Sequence, residues 1–201
     1  MDPREQLQKF EQLCSTLFGS SNPTEREAAN KQLMNITSRP TFIQLSQLIL
    51  QNSTNTHALM TAGRALTALI TKYWNQFEPK QRLQIRTWAL NVLHTRGAGM
   101  QHSASIHLIK LICRVTKMGW FEDTKFRDLV VEVEKFLQHT IENNIIGLKI
   151  LNELVLDMNQ PLPGQTLTDL RKSAVSFKEK CLFHTFKIVS KCPRIPHFLR
   201  I

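Results

Sequence analysis

The chain has 201 residues, of which 42% are hydrophobic and 21% are charged, and its formal net charge is +10 at pH 7. This composition excludes an intrinsically disordered chain, and 7 glycines are too few for a turn-rich all-β architecture. No stretch approaches the ~20 consecutive apolar residues that cross a bilayer, so we expect no membrane insertion. The polar N-terminus is not typical of a secretory signal. The positive charge favours acidic partners without choosing their class.

The first helices are marked by clear start and stop signals. Asp2 and Asn22 each supply an N-cap residue, followed by a proline at the first helical position and a glutamate in the first turn. The first predicted helix ends at Gly19, and the second stops before Pro40. A third helix follows and ends in a polar loop.

Five further helices are predicted from apolar residues at helical spacing. The fourth has a stripe of small residues that favours close approach of a neighbouring helix, and the seventh is expected to be capped by Asp123 or Thr124. These helices lie at about residues 58–73, 79–93, 104–118, 124–136 and 142–158.

The segment 161–164 is rich in proline and glycine and is the clearest linker in the chain. A last helix is predicted over 167–191, with Phe186 on its inward face. We therefore divide the chain into helical repeats over 1–160, a linker and following repeat helix over 161–191, and a divergent, disordered tail over 192–201.

Every second helix begins at a similar interval along the chain. The starts lie near Pro3, Pro40, Pro79 and Thr124, at intervals of 37, 39 and 45 residues. HEAT and armadillo units, each a helix hairpin, repeat about every 40–47 residues. We predict an all-α fold, an α-solenoid of antiparallel helix pairs with about four hairpins plus a further helix. A globin-like or simple bundle fold stays open as an alternative.

Motifs that would indicate catalysis are missing from the sequence. There is no phosphate-binding loop, no dinucleotide-binding fingerprint and no nucleophile elbow. His102 and His107 are five positions apart, which is off-register for two metal ligands on one helix. We expect no enzyme activity, no catalytic residue, no metal and no cofactor. The four widely spaced cysteines are typical of reduced intracellular thiols.

Basic residues are the better candidates for a partner-binding surface. Lys110, Arg114 and Lys117 are spaced by four and three, which predicts one basic face on the sixth helix. Further basic residues lie on the fourth and fifth helices, at Arg64, Lys80, Arg82 and Arg86. They are either solvated surface or a stripe for an acidic protein or a nucleic acid backbone. Because aromatic residues do not interleave with them, nucleic acid is not expected as the primary partner. The acidic pairs Glu122-Asp123 and Glu132/Glu134 are interpreted as a helix cap and an exposed helix face.

Several segments between about residues 7 and 190 together resemble one family. The strongest are Thr116-Lys117-Met118-Gly119-Trp120-Phe121, Ile145-Ile146-Gly147 and Met158-Asn159-Gln160. They are similar to the N-terminal region of exportins, in the importin-β (karyopherin-β) superfamily of nuclear transport receptors. Full exportins are several times longer, so the resemblance implies that this chain is a fragment or a short product.

The resemblance implies a nuclear export receptor that binds the small GTPase Ran in its GTP form. In this superfamily the inner, second helices of the first hairpins bind Ran, which here are Pro23–Thr37, His57–Tyr73 and His102–Lys117. The candidate Ran contacts on these helices are Asn30, Lys31, Met34, Arg64, Lys110 and Arg114.

The further partners that the resemblance implies are cargo proteins and nuclear pore proteins, with a location in nucleus and cytoplasm, including the nuclear pore complex. Two alternatives stay open. One is a helical-repeat scaffold for protein–protein interaction, and the other is an RNA-binding α-solenoid, both without dependence on Ran.

Overall fold

The computed structural model describes residues 2–138 and 140–191, apart from the side chains of Gln138 and Lys191. Within these residues every regular element is a helix, which confirms the predicted all-α helical-repeat fold. The α-helices are α1 (Pro3–Gly19), α2 (Pro23–Thr37), α3 (Phe42–Asn52), α4 (Thr56–Lys72), α5 (Pro79–Arg96), α6 (His102–Met118), α7 (Leu129–Glu134), α8 (Ile141–Asn159), α9 (Leu167–Phe177) and α10 (Phe183–Lys191).

The predicted helix starts are confirmed at the level of individual hydrogen bonds. Asp2 Oδ1 accepts from the backbone N–H of Arg4 at 3.4 Å, and Asn22 Oδ1 accepts from that of Thr24 at 3.0 Å. Each bond satisfies a donor that the first turn of a helix leaves without an intrahelical partner. The linker ends in a turn at Gly164, whose φ of +77° is a conformation that favours glycine.

The chain divides into two compact units. The first contains residues up to Phe77 together with residues 99–111, and α1 with α2 and α3 with α4 pack as consecutive hairpins in it. The rings of Phe10 and Phe42 lie 5.5 Å apart in its core. Hydrogen bonds link the α1 hairpin to the loop before α4, where Ser53 Oγ donates to Glu11 Oε1 at 2.5 Å. The step between these partners is 42 residues, about one repeat.

The second unit contains residues 78–98 and the residues from Ile112 onward. Its core includes Trp120, which is fully buried and whose Nε1 donates to Ser176 Oγ at 3.0 Å. The Phe177 ring meets Trp120 edge-on, with centroids 5.9 Å apart. The ring of Phe126 packs directly on Gly119. The segment at residues 116–121 that carries the family resemblance is therefore a packing element of this unit.

Two predicted helices differ from the structure. The seventh is shortened to α7, with a 3₁₀ segment at Thr124–Asp128 before it and another at Phe136–Gln138 after it. The predicted start is right, since Asp123 Oδ1 accepts from the N–H of Lys125 at 2.9 Å. Short 3₁₀ turns of this kind are frequent at helix ends, where backbone groups lack α-helical partners.

The last predicted helix contains a π-helical turn at Lys178–Leu182, between α9 and α10. Its inward face was predicted wrongly, because Phe186 is 66% exposed. Counting on from buried Phe177 at helical spacing leads to Cys181, Thr185 and Ile188, and these are the buried residues. Phe186 lies outside that stripe.

The cysteines Cys14, Cys113 and Cys181 are buried free thiols. Burial raises the pKa of the Cys14 thiol to about 11, so it is protonated at neutral pH. The fourth cysteine, Cys192, and the predicted tail at 192–201 lie outside the described residues. The predicted boundaries at residues 160 and 191 stay a prediction.

Candidate functional site

The candidate residues on α2 lie on its outer surface. Asn30, Lys31 and Met34 are exposed, whereas Ala29 and Leu33 of the same helix are buried against the rest of the first unit. Met34 is 63% exposed. This helix therefore presents an amide, an ammonium group and a thioether to solvent.

Two further candidates, Arg64 on α4 and Lys110 on α6, act electrostatically on the same histidine. Both are exposed, and the charge of each is felt by His107, which is half-buried on α6. Burial lowers the pKa of His107, and the positive charges of Lys110 and Arg64 lower it further. Because α4 and α6 contain no aspartate or glutamate, these cations have no acidic neighbour on their own helices. The result is a cationic surface patch around a neutral imidazole.

A glycine allows α4 and α6 to approach closely at this patch. A Cβ at Gly63 would lie 2.9 Å from His107 Cβ, closer than packed side chains tolerate. The bare backbone at Gly63 thus lets the His107 side chain settle against α4.

Arg114 lies in the second unit, and its guanidinium is already occupied. Nε donates to Asp157 Oδ2 at 3.3 Å, and Nη2 donates to Oδ1 at 2.9 Å. Asp157 is buried, while the Arg114 side chain is 25% exposed. A bidentate pair of this geometry is among the stronger charge-assisted interactions.

The predicted basic face of α6 is wrong at Lys117. This side chain is only 3% exposed, and its ammonium donates to the backbone oxygens of Asp157 and Gln160. Of the three residues predicted to form that face, only Lys110 is exposed.

The predicted basic start of α5 is also wrong at two of its three residues. Arg82 and Arg86 are buried, and both are paired with carboxylates. Arg82 Nη1 lies 2.6 Å from Glu122 Oε2, and Arg86 Nη2 lies 2.8 Å from Glu132 Oε2. Burial lowers the pKa of Arg86 and raises that of Glu132, and the charge of each partner opposes both shifts. Glu132 is therefore half-buried in an ion pair and does not belong to an exposed helix face.

Sequence reasoning missed these pairs because their partners are distant along the chain. Arg82 and Glu122 are 40 positions apart, and Arg86 and Glu132 are 46 apart. The repeat period could have predicted these ion pairs. A basic and an acidic residue separated by one period occupy similar positions in neighbouring repeats.

Two other kinds of site are absent from the part of the chain that the structure describes. Within residues 2–138 and 140–191, no three histidine, cysteine or acidic side chains lie close enough together to hold a metal ion. In the same part of the chain, no helix is both long and apolar enough to cross a membrane.

Comparison with known proteins points to one family. Residues 29–95 match the model of the importin-β N-terminal domain. The chain is 32% identical over 191 residues to Exportin-7-B of Xenopus laevis, covering 93% of this chain and 18% of that protein. It is 33% identical over 187 residues to Ran-binding protein 16 of Drosophila melanogaster, covering 90% and 17%, respectively. It is also 33% identical over 180 residues to Ran-binding protein 17 of Homo sapiens, covering 88% and 16%. The chain thus spans less than a fifth of the length of these relatives.

Proposed function

The chain belongs to the importin-β superfamily of nuclear transport receptors, by similarity to its N-terminal region, and on this premise we propose that it binds Ran-GTP as part of a nuclear export receptor. The observation that carries the proposal is the importin-β N-terminal match at residues 29–95. That range contains α4 and most of α2, and with them four of the six candidate contacts. Relatives that match nearly the whole chain are named as exportins and Ran-binding proteins.

The exposed side chains of the first unit supply the proposed contact surface. Asn30, Lys31 and Met34 on α2 offer hydrogen bonds, a charge and an apolar contact. Arg64 and Lys110 add the cationic patch around His107. Such a surface favours an acidic face on the partner, because complementary potentials speed association and fix the orientation of the complex.

Whether Arg114 can contact Ran depends on its ion pair with Asp157. Its guanidinium is held by the buried carboxylate of Asp157, so a direct contact with Ran uses its remaining N–H groups or breaks that pair. Breaking the pair would leave a buried charge unpartnered, which is costly. We therefore place the main electrostatic contribution on Arg64 and Lys110.

In the proposed mechanism the chain acts by binding and not by catalysis. Ran-GTP and a cargo protein bind cooperatively to the receptor, and GTP hydrolysis on Ran dissolves the complex by removing one of the coupled ligands. Cargo proteins and nuclear pore proteins are the further proposed partners. The proposed location follows from this cycle and is the nucleus and cytoplasm, including the nuclear pore complex.

The test is calorimetric titration of the purified full chain with Ran, loaded in parallel with a non-hydrolysable GTP analogue and with GDP. The proposal expects clear preference for the GTP form. Equal binding of both forms, or binding of neither by a chain shown to be helical and monodisperse, would contradict it. Strong binding to unrelated RNA sequences that weakens steeply with salt would instead support an RNA-binding solenoid.

A further inference from the structure

The first unit contains a cavity on which the proposed function does not depend. It has a volume of about 430 Å³ and lies where α1, the end of α2 and the start of α3 meet. This volume falls within the range of sites that hold small ligands or single side chains of a partner. The residues that line it are Gln6, Lys9, Phe10, Ile36, Arg39, Thr41, Phe42, Gln44 and Leu45.

The inner part of the cavity is apolar. The rings of Phe10 and Phe42 lie beneath it with centroids 5.5 Å apart, and other side chains already cover them almost completely. Ile36 and Leu45 are half-buried and form its apolar walls. An apolar side chain that entered the cavity would leave water on contact with these two walls, and that burial is favourable.

The rim of the cavity carries positive charge. Lys9 and Arg39 are exposed, and among the described residues that line the cavity none is acidic. Arg39 Nη2 donates to Asn35 Oδ1 at 2.9 Å, which orients the guanidinium while other N–H groups of the fork can still bind a carboxylate.

The start of α3 adds to this positive field. Thr41 is its N-cap residue and makes no side-chain capping hydrogen bond, and the first turn contains no acidic residue. A helix N-terminus carries a partial positive charge that favours anions nearby. A carboxylate at the rim is therefore favoured by two cations and by a helix end.

We propose that this cavity binds an acidic segment of a partner protein, with an aromatic side chain between Ile36 and Leu45 and flanking carboxylates on Lys9 and Arg39. A neutral apolar segment would cover the two apolar walls and leave both cations without a counter-charge. A simple polyanion would pair with the cations and leave the apolar walls uncovered. The combination of apolar walls with a cationic rim selects a segment that carries both groups.

The experiment uses the full chain, labelled with ¹⁵N, and the probe acetyl-Glu-Phe-Glu-amide, followed by amide shifts in NMR titration. Two matched probes separate the contributions: acetyl-Gln-Phe-Gln-amide lacks the charges, and acetyl-Glu-Ala-Glu-amide lacks the ring. We expect saturable shifts at Gln6, Thr41 and Gln44 with the first probe, and much weaker binding of the other two. Binding of the first probe is expected to weaken as salt is raised.

Two variants test the rim without altering the apolar walls. Lys9→Gln and Arg39→Gln are each expected to weaken the first probe by up to about fivefold, the range of a solvent-exposed ion pair. Arg26→Gln, which removes an exposed cation of α2 outside the cavity, is the matched control and should leave affinity unchanged. Circular dichroism of each variant establishes that its fold is retained.

Several results would overturn the inference. These are shifts that map away from the cavity, equal affinity for the neutral probe, or unchanged affinity in both rim variants. Equal binding of free phenylacetate would indicate a site for small organic acids in place of a protein segment. Because the probes contain no nucleotide and Ran is absent, the result is independent of the test for Ran binding.

Discussion

Lys117 donates a hydrogen bond from Nζ to the backbone oxygen of Asp157, 2.7 Å away and 40 positions later in the chain. The same ammonium donates to the carbonyl of Gln160, the C-cap residue that follows α8. The Asp157 carboxylate in turn accepts two hydrogen bonds from Arg114. The last carbonyls of a helix lack intrahelical partners, so a buried lysine of α6 caps α8 and ties two successive repeats together.

Replacing Lys117 by methionine is expected to destabilise the chain. The variant leaves carbonyls at the end of α8 without their charged donor, and hydrogen bonds to charged groups are each worth about 1.5–3 kcal/mol. Because the Asp157 carbonyl keeps the backbone N–H of Gln160 as a donor, the loss is smaller than the sum of the two bonds. We expect the free energy of unfolding, measured by urea denaturation, to fall by roughly 2–3 kcal/mol. Lys172→Met on the exposed surface of α9 is the control and should change it by less than about 0.5 kcal/mol. An equal effect of the two substitutions would show that the cap contributes nothing.

The contact between Gly119 and Phe126 predicts a steric effect. A Cβ at Gly119 would lie 2.6 Å from the Phe126 ring, and both residues are anchored in the core. Gly119→Ala should therefore lower the free energy of unfolding by about 1–3 kcal/mol through overpacking. Gly99→Ala, where no atom lies within 4 Å of the added Cβ, is the matched control and should be neutral or slightly stabilising. Equal stability of the two variants would contradict the prediction.

The fork geometry of Arg86 predicts that lysine cannot replace it. Nη1 donates to the carbonyl of Phe126 at 3.1 Å while Nη2 pairs with Glu132, and a single ammonium group cannot reproduce both directions. Arg86→Lys is expected to cost about 1–3 kcal/mol of stability in thermal or urea unfolding. Arg171→Lys, on the exposed surface of α9, serves as control. A fully stable Arg86→Lys variant would show that charge alone is required at this position.

The environment of His107 predicts a loss of stability in mild acid. Its folded pKa lies below the ordinary value of 6.5, because burial and then the charges of Lys110 and Arg64 disfavour the imidazolium. As pH falls through 6.5, the unfolded chain binds a proton before the folded chain does, so stability decreases. Thermal midpoints between pH 7 and 5 should fall less steeply in His107→Gln than in the parent. The exposed His102→Gln is the control, and an identical slope for all three would exclude this role of His107.

Charge reversal tests the proposed Ran-binding surface. Arg64→Glu with Lys110→Glu places two negative charges at the cationic patch and should weaken binding of Ran-GTP by at least about tenfold, since like charges across an interface cost several kcal/mol. Arg4→Glu, at the start of α1, is the control. Calorimetry at low and physiological salt provides the measurement. Unchanged affinity in the double variant would move the site away from this patch.

Much of the fold was predictable because it depends on neighbouring residues. The caps at Asp2 and Asn22 act within one helical turn, and the apolar stripes of α4 and α6 follow the helical period. The candidate site was less predictable. Arg64 and Lys110 are exposed as expected, whereas Lys117 is buried and Arg114 is paired with Asp157.

The sequence by itself thus determined that the chain forms helical hairpins, where most of them begin, and which family it resembles. Only the tertiary structure decided which basic side chains are available to a partner. An arginine or lysine can be buried only where a carboxylate or a carbonyl oxygen accepts hydrogen bonds from it. For Arg82, Arg86 and Lys117 that group lies at least 40 positions further along the chain. Local sequence patterns cannot predict these contacts, because they form only when successive repeats pack together.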